Sequence, residues 1–180
     1  MRKIVVYELL SLDGVAEAPD TFFEWDDAVV RRLAATIETQ DAVVFGRRTY
    51  NEWGRFWPNS EIEPFATFIN GVTKYIATST PLDLGWANTK VIDGGLIEFV
   101  RDLKQRPGGD VGVHASISVA QALLTAGVVA ELKLVVGPMI VGHGHESRPA
   151  RNRGDRAAVA RLPRWRTPLV RTAPRRRRRT

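Results

Sequence analysis

The sequence predicts an α/β fold, with a mostly parallel central sheet flanked by helices and an atypical arginine-rich C-terminal tail. Three observations lead there. Short β-rich runs alternate with stretches of helical spacing, which is the pattern of βαβ units. The 180 residues, 44% of them hydrophobic, suffice for one domain with a real core. The alternation then stops at His145, where the composition changes abruptly.

Residues 3–10 form a β-rich run suited to a buried strand, ended by the turn chemistry of SLDG at 11–14. Residues 15–23 read as a loop. In 25–39, Val29, Leu33 and Ile37 recur every four residues, so a helix is expected. Strands are expected at 42–45, 74–78, 89–92, 111–114 and 132–136, and another begins at 139–141. Short helices are expected at 48–53 and 63–70. The amphipathic run 96–104 is a helix closed by PGG at 107–109, and the helix at 118–126 stops at Gly127. Parallel sheets place ligands outside the carboxyl ends of their strands. GRRT, STP and HAS all fall at such ends.

Charge divides sharply along the chain. Residues 148–180 hold 13 arginines against one acid, Asp155, a charge of +12. Residues 1–147 hold 13 Lys and Arg against 19 acids, a charge of −6. An acidic body does not resemble a nucleic-acid-binding domain. The tail would bind nucleic acid only non-specifically. From 145 to 180 no hydrophobic period persists, so that segment is expected to be disordered and the domain to span 1–144. The chain has no cysteine, which excludes disulfides and thiolate chemistry, and no apolar run long enough for a membrane span. The N-terminus reads as a first strand without a signal-peptide cleavage site, so a cytoplasmic location is expected.

The corner AVVFGRRTYNEWG at 42–54 carries the first chemical signal. A strand ends at Gly46, and two arginines and a threonine open a helix. Guanidinium forks match phosphate oxygens, and a helix N-terminus adds free N–H groups. The alternative is two solvated arginines and a threonine supporting the helix start.

KIVVYELLSLDGVAEAP, DAVVFGRRTYNEW, KYIATST and the stretch from GGDVGVHAS to IVGHG occur in an order and spacing that resemble the dihydrofolate-reductase-like family. The likeness is specifically to the family around the C-terminal reductase domain of bacterial riboflavin biosynthesis. The resemblance implies an NADPH-dependent reductase acting on a small heterocyclic substrate, pterin-like or ribosylaminopyrimidine-like, in a homodimer. It implies cofactor contacts from Gly46, Arg47, Arg48 and Thr49. It adds Thr78, Ser79 and Thr80 after the next strand, and Ala115, Ser116 and Ile117 at the late turn beside His114. It places Ser11, Leu12, Asp13 and Gly14 beside the nicotinamide and substrate, with Asp13 the candidate catalytic group. Three departures stand out. Ala115 stands where glycine is usual, Ala130 stands where an Asp is usual, and the two closing strands are not evident after residue 144, as if the tail came from a reading-frame change or an unrelated extension.

Asp13 either orients a substrate N–H, with a nearby water delivering the proton, or holds its loop as an Asx-turn. Glu24, Asp26 and Asp27 sit before or within the first helix, and Asp26 and Asp27 lie about a turn too early for the pterin-binding acid of folate-reducing relatives, whose place is near the apolar Val30. Asp26 and Asp27 suit a helix cap instead, and the substrate is expected to be another heterocycle or an activated carbonyl or imine. Lys74 and Arg55 are candidate cations for a phosphoribosyl group. His143 and His145 lack a third clear ligand, so no metal is expected. The five tryptophans read as core or pocket wall. The alternative function is a non-catalytic nucleotide- or polyanion-binding protein on the same fold.

Overall fold

A computed structural model describes residues 1–21 and 23–142, together with the strand backbone at Ala160–Arg161 and Leu169–Arg171. The chain runs β1 (Ile4–Leu10), α1 (Asp27–Ile37), β2 (Gln40–Gly46), α2 (Arg47–Phe56), α3 (Phe65–Gly71), β3 (Thr73–Ala77) and β4 (Thr89–Val91). It continues through α4 (Leu96–Leu103), β5 (Asp110–His114), α5 (Ile117–Thr125), β6 (Glu131–Val136), β7 (Met139–Ile140), β8 (Ala160–Arg161) and β9 (Leu169–Arg171). The main sheet is ordered β4-β3-β2-β5-β1-β6-β9. Its first six strands are parallel, and β9 runs antiparallel to β6 with Leu134 opposite Val170. β7 and β8 form a separate antiparallel pair. β8 and β9 lie in the segment expected to supply no strands, so that expectation fails at these two places. The disorder expected for the rest of 145–180, and the pair His143 and His145, lie outside the described residues. No helix among the described residues is long and apolar enough to cross a membrane.

Each sheet face buries its own core. On one, α1 and α3 cover Tyr7, Val43, Phe45, Ile76 and Val135. On the other, α4 and α5 cover Ile4, Val6, Val44, Val111 and Val113. Helix α1 forms where its spacing requires, burying Val29, Leu33 and Ile37. Its first turn is capped by Asp26, whose Oδ1 accepts from the Val29 N–H at 2.8 Å, the stabilising role expected of an Asp at that place. Trp53, Trp57 and Trp86 pack around Phe45 and Phe65, with Trp57 and Phe65 centroids 4.8 Å apart. These three tryptophans are wall and core, whereas Trp25 is about half exposed.

Two polar groups sit inside the first core. Lys74 is fully buried, and its ammonium donates to the carbonyls of Ile69, Asn70 and Val72 over the Trp86 ring. Burial lowers its pKa to about 8. It therefore closes the C-terminal end of α3 and is not available to a ligand, which corrects its reading as a phosphoribosyl cation. His114 is buried against Tyr7, Phe65 and Phe68, and its Nε2 lies 2.8 Å from Gln40 Oε1. Burial, with a smaller push from Lys133, lowers its pKa to about 3, so the ring stays neutral.

The Gln40–His114 pair lies across Gly112, where a Cβ would clash with Gln40 Oε1 and come within 2.7 Å of His114 Nε2. Glycine is needed there for close approach. Gly112→Ala should lower unfolding free energy by about 2 kcal/mol, through over-packing and a broken buried hydrogen bond. Urea denaturation of both proteins checks this, and an unchanged midpoint would show that the pair can shift without loss.

Candidate cofactor and substrate crevice

β5 lies between β1 and β2, but the chain leaves these strands in opposite directions. From β1 and β2 it passes to helices on the α1–α3 face, and from β5 it passes to α5 on the other. A crevice must open at the carboxyl ends of these strands, and this is where ligands sit in open α/β sheets. Its rim is formed by the SLDG turn after β1, the GRRT corner after β2, and the HAS turn after β5.

The HAS turn and the GRRT corner are joined by buried hydroxyls. Ser116 Oγ donates to Thr49 Oγ1 at 2.7 Å, and Thr49 Oγ1 donates to the Ala115 carbonyl at 3.0 Å. The Gly46 N–H donates to Ser116 Oγ at 3.1 Å. Thr49 and Ser116 thus shape the site; their hydroxyls are spent on each other instead of facing a ligand. Ala115, exposed between them, has φ of +51°, a left-handed conformation that costs an L-residue about 1 kcal/mol and that glycine adopts freely.

Arg47 reaches sideways from the first turn of α2. Its Nε donates to Asn51, its Nη1 to Thr80 Oγ1 (2.8 Å) and the Thr80 and Pro81 carbonyls, and its Nη2 pairs with Asp83 at 3.2 Å. The guanidinium therefore stands at the turn after β3. Thr78 and Thr80 bond each other there, with the Thr80 N–H donating to Thr78 Oγ1. Ala77, Thr78 and Ser79 line an open cleft of about 460 Å³, closed on the far side by Ile92, Asp93, Gly94 and Leu96. Gly46 is the N-cap of α2 and offers no side-chain hydrogen bond to its first turn, so those N–H groups remain available to an anion. Arg48 points elsewhere. It is paired with Glu17 and Glu52 and is largely exposed. Ile117, first residue of α5, is exposed at the rim.

Asp13 is a clip. It accepts from Ser11 Oγ at 2.5 Å and from the N–H groups of Val141 (3.2 Å) and Gly142 (2.8 Å). The Ser11 hydroxyl first, then the two backbone donors, hold its carboxyl down near a pKa of about 2. The SLDG turn is further tied by Leu12 N–H to the Met139 carbonyl. Of the two roles open for Asp13, the loop-holding one matches this geometry.

Three acids near the site belong to none of the SLDG, GRRT, STP and HAS motifs in the sequence. Asp83 pairs with Arg47, Asp93 lines the cleft, and Glu8 lies buried on β1. Glu8 had a signal, because it is the single acid in the apolar run of 3–10. Asp83 and Asp93 had none, because loop acids are common and only the fold brings them to the cleft.

Asp13→Asn should loosen the clip without unfolding the body. Amide exchange at Val141 and Gly142 is expected to accelerate, while exchange in β1 and β5 stays unchanged. The wild-type clip should persist down to the titration of Asp13. Its folded pKa is depressed, so its contribution is present above the ordinary carboxylate pKa and lost as pH falls toward 2. Protection at Val141 and Gly142 identical in the two proteins would show that the Asp13 carboxylate does not hold this segment.

The comparisons agree with this architecture. A riboflavin biosynthesis protein from Shewanella sp. PV-4 superimposes with a TM-score of 0.61 at 16% identity, over 79% of this chain and 80% of that one. Dihydrofolate reductase from Enterococcus faecalis, complexed with NADP(H) and RAB-propyl, superimposes with a TM-score of 0.50 at 14% identity, over 74% and 70%. At these identities the likeness is one of fold. Two Bacillus subtilis (strain 168) proteins are each 24% identical. The uncharacterized protein YyaP aligns over 152 residues, 79% of this chain and 78% of its own. The uncharacterized protein YwjB aligns over 147 residues, 79% and 80%. The RibD C-terminal domain model matches residues 2–172, running past residue 144 into the arginine-rich segment. That match spans nearly the whole chain, and the chain belongs to the RibD C-terminal domain family.

Proposed function

We propose that the protein is an NADPH-dependent reductase of a small heterocyclic substrate. The observation that carries this reading is the position of Arg47. It stands at the edge of an open cleft where β2 and β3 end, beside Ser79 and an uncapped helix start. The residues present fit a phosphorylated dinucleotide. Arg47 would hold the ribose phosphate by exchanging the exposed Asp83 carboxylate for it, and an exposed ion pair of that kind is weak. Ser79 would line the adenosine end, and the N–H groups of α2 would face the pyrophosphate. A bound nicotinamide cofactor supplies hydride and carries the electrons. The chain itself fixes position, excludes water and manages a proton.

With Lys74 buried beneath α3, Arg55 alone of the two candidate cations remains on the surface. That favours a substrate without a phosphoribosyl group, such as a stand-alone heterocycle, activated carbonyl or imine. A homodimer belongs to the same proposal. A titration of NADPH by fluorescence, followed by a substrate screen read from NADPH absorbance, tests the reading. No NADPH binding at millimolar concentration would defeat it.

Arg47→Ala should weaken NADPH binding by about 1.5–3 kcal/mol, roughly 10- to 150-fold, while NADH binding changes little. Equal losses for both nucleotides would show that Arg47 does not read the extra phosphate. Ala115→Gly removes a Cβ from a left-handed turn at the rim. It should leave cofactor affinity unchanged or raise it, and a clear loss would mean that the methyl group makes a useful contact.

A further inference from the structure

Glu8 occupies an unusual place on the central strand. β1 and β5 pair only as far as Tyr7 opposite His114, whereas β1 and β6 pair on to Leu10 opposite Val136. Glu8 is therefore the first residue of β1 past the point where the sheet opens toward β5. The next residue on the β5 side, Ala115, turns away with φ of +51°. Tyr7 and Leu9 belong to the α1–α3 core, so Glu8 shares the opposite face with Ile4 and Val6, beneath α5. It is only 9% exposed, and its Oε1 has no hydrogen-bond partner among the described residues.

Among the described residues no charged group perturbs it. Helix α5, ISVAQALLT, carries no ionisable residue. Its partner on β6 is Leu134, while the neighbouring Lys133 reaches Thr36 on the far face. On β5, His114 is turned to Gln40 on that same far face. Asp13, beyond the end of β1, is held by Ser11, Val141 and Gly142. Burial alone raises the Glu8 carboxyl to about 7. An unpartnered buried carboxyl destabilises a fold, and such groups cluster where a ligand uses them.

The place fits one end of a dinucleotide. The cleft lies at β3, and three inter-strand steps, about 14 Å, lead from β3 across β2 and β5 to β1. A nucleotide extended along the crevice, with its adenosine phosphate held by Arg47, would bring its nicotinamide to the gap beside Glu8. We propose that Glu8 is the proton-holding wall of that nicotinamide subsite, protonated beside the neutral reduced ring and ionised beside the cationic oxidised ring. This rests on the reductase reading. Reduction of a C=N or C=O bond consumes a hydride, with its two electrons, and one proton. The nucleotide is oxidised, the Glu8 O–H bond breaks to give the proton to the substrate nitrogen or oxygen, and water later reprotonates the carboxylate. Asp13, already ionised and clipped, has no proton to give at neutral pH.

The test uses the full chain and the two nucleotides alone. NADP+ and NADPH are each titrated calorimetrically at pH 6.5 in two buffers of different ionisation enthalpy, which counts the protons released. The phosphate titration is common to both nucleotides and cancels. The expected result is that NADP+ releases roughly half a proton or more in excess of NADPH, and that Glu8→Gln abolishes the difference. Equal release by both nucleotides, or a difference that survives in Glu8→Gln, overturns the role of Glu8 while leaving the reductase reading intact. Failure of both nucleotides to bind removes both proposals. Should Glu8→Gln not fold, carbon-13 NMR of glutamate carboxyls in the wild-type protein replaces it. One carboxyl should titrate near neutral pH in the free protein and move to its ionised position with NADP+ but not with NADPH. Carboxyls that are all ionised at pH 6.5 in the free protein would overturn the proposal.

Discussion

The crevice depends on one short hydroxyl link. Ser116 donates to Thr49, Thr49 donates to the Ala115 carbonyl, and Gly46 N–H closes the loop onto Ser116. These groups come from the turn after β5 and the corner after β2, two strands whose chains depart to opposite faces of the sheet. A helix on each face would otherwise pull the two corners apart. The link is buried, so water does not compete for it, and each partner lost would leave another polar group unpaired. It fixes the spacing of two helix N-termini, α2 and α5, and with it the mouth of the site.

The rest of the site is arranged around that link by charge. Arg47 is drawn to the turn after β3 by Thr80, Pro81 and Asp83, and Arg48 is drawn away by Glu17 and Glu52. Two adjacent arginines of equal charge thus have different surroundings, one at the cleft and one on the outer surface. The two carboxylates on the β1 side divide in the same manner. Asp13 is exposed, well supplied with donors and held low, whereas Glu8 is buried, its Oε1 without a partner among the described residues, and its carboxyl is raised to about 7 by burial. Environment, not residue type, separates holding a loop from holding a proton.

The opposite face shows what structural polar groups look like in this protein. Lys74 donates to three carbonyls at the end of α3, and His114 bonds Gln40 in the space that Gly112 leaves open. Both ionisable groups are pushed toward neutrality by burial, and each has a hydrogen-bond partner. Among the described residues Glu8 Oε1 has none, a state it shares with Tyr7 Oη and Gln40 Nε2; what sets Glu8 apart is its place on β1 at the gap where pairing with β5 has ended and pairing with β6 continues.

The sequence by itself determined the element order as far as β7, the family resemblance and the corners at the strand ends. Local signals suffice for these. Val29, Leu33 and Ile37 mark the buried stripe of α1, Gly127 marks its end for α5, and Gly46 followed by Arg47 marks where a strand becomes a helix. Strand ends in a parallel sheet are binding positions by topology, so GRRT, STP and HAS were legible as a set. Only the tertiary structure decided which of their side chains turn inward to other parts of the chain. Thr49 and Ser116 turned inward to each other, Lys74 was taken up by α3, and β9 paired with β6 from within a segment whose sequence carries no strand pattern. These outcomes rest on contacts between residues far apart in the chain: 67 positions for Ser116 and Thr49, 36 for Arg47 and Asp83. A hydroxyl or a charge carries no mark of its partner in the local sequence. Its orientation is set by whichever donor, acceptor or apolar wall the fold brings within about 3 Å, and that distance exists only once the sheet has closed.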